Sequence, residues 1–254
     1  MKYKALISDL DGTMIPNGPL GMPSHKVLEA ISKAREKIHI SVATGRELRL
    51  ATPILDALNL TGPVILLNGA LIIDGATREP LYEKPMIMDD YTFVVNILRK
   101  TSFRYLIETK DTVHERYDEE PQNPLVVFVW DITDEQANIL IRKFSNIPTL
   151  SLYKVSGWKE GTVGLNIAHK LATKQHAIYE LGKILNIRTH EIIGIGDGPN
   201  DFPLLMASGL KVAMGNAIPD LKAIADYVTA TVEEDGVAQV IEKFVLSTNS
   251  RNGK

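Results

Sequence analysis

Short apolar runs alternating with helical stripes constrain this chain more than any other feature. Ala5-Leu6-Ile7, His39-Ile40-Ser41-Val42-Ala43, Val64-Ile65-Leu66-Leu67 and Ile192-Ile193-Gly194-Ile195 are strand-like and rich in Ile, Leu and Val. Between the first two, Val27, Leu28, Ile31 and Ala34 share one face of a helix that Ser24 can cap. Ala177, Ile178, Leu181, Ile184 and Leu185 form a second stripe ahead of the last run. Strands separated by helices in this way predict a parallel sheet covered on both faces. Val212-Ala213 and Tyr227-Val228 predict two more short strands, and Val237, Val240, Ile241 and Phe244 a closing helix. Pro53 predicts a helix broken after Gly45 and restarted at a first turn capped by Thr52. The polar stretch Leu246 to Lys254 is expected to fray.

The middle of the chain follows a different grammar. Phe103 to Glu108, Thr112 to Tyr117 and Leu125 to Trp130 lie too close together for crossover helices and read as antiparallel strands. Helices are expected at Asp89 to Lys100 and Asp134 to Phe144, with further strands at Thr149 to Val155 and Thr162 to Ile167. The fold class is therefore α/β, with an α+β unit inserted into a parallel-sheet core. Residues 1–82 and 169–254 are expected to form the core and 83–168 the insertion.

Composition removes several functions. The net charge of -3 over 254 residues advertises no surface for nucleic acid or anionic lipid. The absence of cysteine removes disulfides, thiolate zinc sites and cysteine nucleophiles together. No apolar run approaches the roughly 20 residues of a membrane helix, and the N-terminal run is too short for a signal core. A cytoplasmic protein, monomeric or weakly homo-oligomeric, is expected.

Chemistry concentrates at the ends of the runs. Asp9 and Asp11 stand one residue apart in Asp9-Leu10-Asp11-Gly12-Thr13. Like charges so close raise each other's pKa unless a cation relieves them. Thr44-Gly45-Arg46 follows the second run, Lys174 precedes the second helical stripe, and Gly196-Asp197-Gly198-Pro199-Asn200-Asp201 follows the last. Ligands of open parallel sheets bind at that edge. A phosphoryl group there would need its charge neutralised before a carboxylate could attack it. Asp9, Asp197 and the backbone carbonyl of Asp11 offer oxygens suited to Mg²⁺. Thr44 offers a hydroxyl, Gly45 an unobstructed N–H and Lys174 a positive charge. The Asp11 side chain is left to move a proton. Taken singly, each motif also reads as a turn, a helix cap or a solvated lysine; their order makes the combination informative.

With these motifs in place, nearly the whole chain resembles the haloacid dehalogenase superfamily of phosphohydrolases, in its Cof-type branch. The resemblance rests on Asp9-Leu10-Asp11-Gly12-Thr13, Thr44-Gly45-Arg46, Asn68-Gly69-Ala70, Lys174 to Leu181 and Gly196 to Asp201. Val212 to Ala217 and Glu234 to Ala238 also look like that branch. Gln175 stands where the branch usually has glycine. The resemblance implies a Rossmann-like core with a cap that selects a small phosphorylated metabolite, a sugar phosphate above others. It implies that Asp9 attacks phosphorus to form an aspartyl-phosphate and that Asp11 acts as general acid and then base. It also implies Mg²⁺ held by Asp9, Asp11 and Asp197 with Asp201 in support, and phosphate bound by Thr44, Gly45, Lys174 and Asn200. Arg46 is expected either at the substrate or paired with a carboxylate at the rim. Arg104, Lys110, His114 and Arg116 read as a solvated sheet face, with a second anion-binding group as the alternative. A phosphomutase with the same nucleophile and a non-catalytic phospho-acceptor are the rival functions.

Overall fold

The computed structural model describes residues 2–18, 20–115, 121–157 and 159–247. Arg116, the end of the Thr112–Tyr117 run and most of the C-terminal polar stretch lie outside the described residues.

The first run becomes β1 (Ala5–Ser8), fully buried. Helix α1 (His25–Ala34) follows, with the Ser24 hydroxyl accepting from the Val27 N–H at 3.1 Å. The chain continues through β2 (His39–Val42), α2 (Leu48–Leu58) and β3 (Pro63–Leu66). It then forms a hairpin of β4 (Leu71–Asp74) and β5 (Pro80–Glu83), an element not expected from the sequence. Helix α3 (Met88–Leu98), β6 (Arg104–Glu108), β7 (Val113–Glu115), β8 (Val126–Ile132), α4 (Asp134–Phe144), β9 (Leu150–Ser156) and β10 (Val163–His169) make up the middle. Helix α5 (Lys174–Leu185), β11 (Ile192–Gly196), α6 (Phe202–Ala207), β12 (Leu210–Ala213), α7 (Pro219–Ile224), β13 (Tyr227–Val228) and α8 (Gly236–Ile241) complete it.

Strands β13-β12-β11-β1-β2 form an all-parallel sheet in that order. From β1 the chain moves outward to β2, and on its return it enters beside β1 at β11 and proceeds the other way. The reversal lies between β1 and β11, so the ends of these strands frame the crevice in which such sheets take ligands. Strand β3 touches this sheet through one parallel bridge, Ala43 to Ile65, and otherwise pairs antiparallel with β4. The expected third parallel strand is thus an antiparallel partner of the hairpin. Its apolar run satisfies either pairing.

The expected break at Pro53 is corrected. Helix α2 runs through it, capped by Glu47, whose carboxylate accepts from the Arg49 and Leu50 N–H groups. Pro53 sits in the middle of the helix and leaves one carbonyl, that of Arg49, without its helical donor, on an exposed residue. Thr52 does not cap; its hydroxyl donates to the Leu48 carbonyl at 2.7 Å.

The middle sheet, β7-β6-β8-β10-β9, is antiparallel throughout. One face carries Tyr105, Ile107, Val127, Val129, Leu165 and Ile167 into a hydrophobic cluster with α3 and α4. The other face brings Val126, Phe128 and Ala168 against the main core.

Candidate active site

Asp9 leaves the end of β1 buried, 5% exposed, beside the end of β11. Lys174, the first residue of α5, is aimed at it from a helix start fixed by the Thr173 hydroxyl on the His176 N–H. The Lys174 Nζ donates to Asp9 Oδ1 at 2.6 Å and to Asp201 Oδ1 at 2.7 Å, with the lysine itself 1% exposed. Burial works against the ammonium charge, but Asp201 and Asp9 outweigh it and raise the lysine's pKa. Burial also raises the Asp9 pKa well above the carboxylate range, with Lys174 pulling the other way.

The other Asp201 oxygen accepts from the Asp197 and Gly198 N–H groups, both at 2.9 Å. Asp201 therefore fixes the loop after β11 and positions Lys174. Asp197 accepts from the Thr13 hydroxyl at 2.8 Å, and burial pushes its pKa up to about 6. Gly12 has φ +75°, and a Cβ there would collide with the Asp197 carboxylate, so only glycine lets the β1 loop pass. Asn216 holds the Gly12 carbonyl at 2.7 Å.

Asp11 pairs with a different cation from Asp9. Arg46 grips it with two hydrogen bonds, Nε to Oδ2 at 2.8 Å and Nη2 to Oδ1 at 2.5 Å, and also donates to the Gly18 carbonyl at 2.8 Å. Of the two roles expected for Arg46, the structure displays the carboxylate pairing. The Asp9–Asp11 repulsion is relieved here by two separate cations, one on each carboxylate.

Thr44 is buried, and its hydroxyl accepts from the Arg46 N–H at 3.1 Å. Gly45 lies so close to Asn68 that a Cβ would sit 2.6 Å from the Asn68 Nδ2. Asn200 donates to Asn68 Oδ1 at 3.1 Å, tying the β11 loop to the turn after β3. Asn68 is thus placed between Gly45 and Asn200 of the candidate site.

Asp9, Asp197 and Asp201 each offer an oxygen within 4.8 Å of the others. Among the described residues no hydrogen bond reaches Asp9 Oδ2 or Asp197 Oδ2. Two uncommitted hard oxygens in a buried acidic cluster fit a small divalent ion such as Mg²⁺.

The cations of the middle sheet are engaged elsewhere. Arg104 lies over the Trp130 ring at 4.9 Å, Lys110 pairs with Glu83 at 3.6 Å and His114 meets the Thr112 hydroxyl. No helix among the described residues is long and apolar enough to cross a membrane.

The sequence matches the haloacid dehalogenase-like hydrolases over residues 6–147 and 110–241. The chain belongs to that family. YxeH of Bacillus subtilis is 30% identical over 276 residues, covering 96% of this chain and 99% of its own. The 5-amino-6-(5-phospho-D-ribitylamino)uracil phosphatase YcsE of the same organism is 28% identical, covering 96% of each chain. The subclass IIB sugar phosphatase BT4131 superposes with a TM-score of 0.77 at 24% identity, covering 95% of this chain and 99% of its own. Family and fold agree with the resemblance read from the motifs, and the enzyme class is that of a haloacid dehalogenase-type phosphatase.

Proposed function

We propose that this protein is a Mg²⁺-dependent phosphatase of small phosphorylated metabolites, working through a phosphorylated Asp9. The observation that carries the proposal is the Lys174 ammonium held between Asp9 and Asp201, beside Asp197, at the topological reversal of a parallel sheet. Asp9, Asp197 and the Asp11 backbone carbonyl would hold the ion, with Asp201 supporting them from behind. Bound there, Mg²⁺ supplies charge neutralisation for an anionic phosphate facing a carboxylate. Lys174 opposes the burial that disfavours an ionised Asp9 and, with Thr44, Gly45 and Asn200, binds phosphate oxygens.

Asp9 attacks phosphorus and the leaving oxygen departs with a proton from Asp11; Asp11 then takes a proton from the water that hydrolyses the aspartyl-phosphate. Arg46 occupies both Asp11 oxygens in this structure and must release one for that exchange. Residues 83–168 serve as the cap that excludes bulk water and selects the leaving group. A cavity of about 240 Å³ supports a small substrate, since it lies between Lys174, Asn68 and Asn200 of the core and Ser151 and Tyr153 of the middle sheet. It falls below the range of pockets that hold drug-sized ligands. A sugar or polyol phosphate is the substrate class, in keeping with the ribitylamino and sugar phosphates named for two relatives.

A panel of phosphorylated metabolites assayed with Mg²⁺ tests the proposal. Phosphate release without isomerisation, abolished by a chelator and restored by Mg²⁺, is expected. Isomerisation of a sugar monophosphate without phosphate release would point to a mutase instead.

A further inference from the structure

The turn after β3 touches all three segments that carry the proposed phosphate ligands. Its backbone bends against the preference of L residues: Leu67 has φ +51°, Asn68 +53° and Gly69 +109° in succession. That region is costly for a bulky residue such as leucine and persists only where the surroundings impose it. They do so here. The Leu67 N–H donates to the Arg46 carbonyl at 3.2 Å and the Asn68 N–H to the Thr44 carbonyl at 2.8 Å, which stitches the turn to Thr44-Gly45-Arg46. A Cβ on Gly69 would stand 2.3 Å from the Thr173 carbonyl oxygen, so the turn also lies against the residue that caps α5 and sets Lys174.

The side chain this turn delivers is that of Asn68, 4% exposed. Its Nδ2 packs over Gly45, and its Oδ1 accepts from the Asn200 Nδ2 at 3.1 Å, which reaches the third segment. A carboxamide has a donor end and an acceptor end of nearly the same shape, so what it presents to phosphate depends on what fixes its rotation. The Asn200 Oδ1 is turned to Gly198, where a Cβ would stand 3.0 Å from it. The Asn200 Nδ2 has two hydrogens, and among the described residues its bond to Asn68 is the only one that side chain makes. Asn68 therefore holds one hydrogen and leaves the other to donate into the cavity that Asn68, Lys174 and Asn200 line together. Without an acceptor at Asn68, the amide would be free to turn its oxygen toward the anion and repel it.

We propose that Asn68 is a positioning residue of the phosphate site: its side-chain oxygen holds the Asn200 amide with the nitrogen toward the substrate, so that it acts on turnover through Asn200 and not as a phosphate ligand itself. The inference rests on the phosphatase reading above.

The test is a double-mutant cycle on an aryl phosphate with Mg²⁺, using Asn68→Gly, Asn200→Ala and the two together, with inorganic phosphate as a competitive inhibitor. Glycine accepts the positive φ, so the backbone of the turn is kept. Asn68→Ala removes the same amide and gives a second reading should the glycine variant fold poorly. Asn200→Ala loses a donor to a charged group, and its kcat/KM is expected to fall about ten- to a hundred-fold. Asn68→Gly is expected to lose about ten-fold, mostly in KM, with the inhibition constant of phosphate rising by about the same factor. The double variant should match Asn200→Ala alone within about two-fold, because no amide is left to orient. A turn merely loosened by the substitution would disturb Thr44 and Lys174 and add its loss in the Asn200→Ala background as well. Losses that multiply in the double variant, or an Asn68→Gly enzyme within about two-fold of wild type, overturn the proposal. Absence of wild-type turnover would instead overturn the phosphatase reading on which it rests.

Discussion

Glu108→Gln removes one ionisable proton from the interface between the middle sheet and the core and preserves the side chain's shape. The folded protein holds that proton to about pH 8, whereas the unfolded chain releases it near the ordinary value of 4.5. Between these limits the folded state binds more protons than the unfolded one, so stability falls as pH rises. At about 1.4 kcal/mol per pH unit, the group alone costs the wild type about 2.5 kcal/mol between about pH 5.5 and about pH 7.5. The glutamine variant carries no such dependence. Asp9, Asp197 and the other carboxyls titrate in both proteins and cancel in the comparison. Urea unfolding at the two pH values measures the effect. The wild type should lose about 2.5 kcal/mol more than the variant, and the variant should be the more stable protein at the higher pH. Parallel pH profiles would refute the reasoning, because they would mean Glu108 is ionised in the folded state and has found a partner.

Two other outcomes follow from the site. Lys174→Met leaves Asp9 and Asp201 buried without their shared cation, and breaking such a network costs about 3–5 kcal/mol; urea unfolding should show that loss together with inactivity, and a loss below about 1 kcal/mol would count against the network. Asp11→Asn should slow poor leaving groups far more than good ones across a series of aryl phosphates, because proton donation matters most where the departing oxygen is basic; equal loss across the series would remove Asp11 from the acid role.

The parallel core was legible because its strands are buried on both faces, which leaves apolar runs that stop at Asp9, Thr44 and Gly196-Asp197. The residues meeting at Lys174 could be listed from motifs alone. The β4–β5 hairpin was not legible, since Leu71–Asp74 continues the apolar texture of β3 beyond a turn. Glu47 escaped notice because glutamate is an uncommon helix cap, and Pro53 misled by ranking a local rule above the packing of Ala51, Ile54 and Leu55. Asn68 acquires meaning only from tertiary placement, beside Gly45 and Asn200. In the sequence it is a polar residue after an apolar run. Asp11 and Arg46 both stood in motifs, yet their pairing depends on how the loops after β1 and β2 meet.

The central claim is that Asp9 is the nucleophile. Its most direct test is turnover of an aryl phosphate by Asp9→Asn in the presence of Mg²⁺, with folding verified by circular dichroism. A fall in kcat of at least about a thousand-fold is expected, because the amide cannot form the phosphorylated intermediate. Turnover within about ten-fold of wild type by the folded variant would contradict the account.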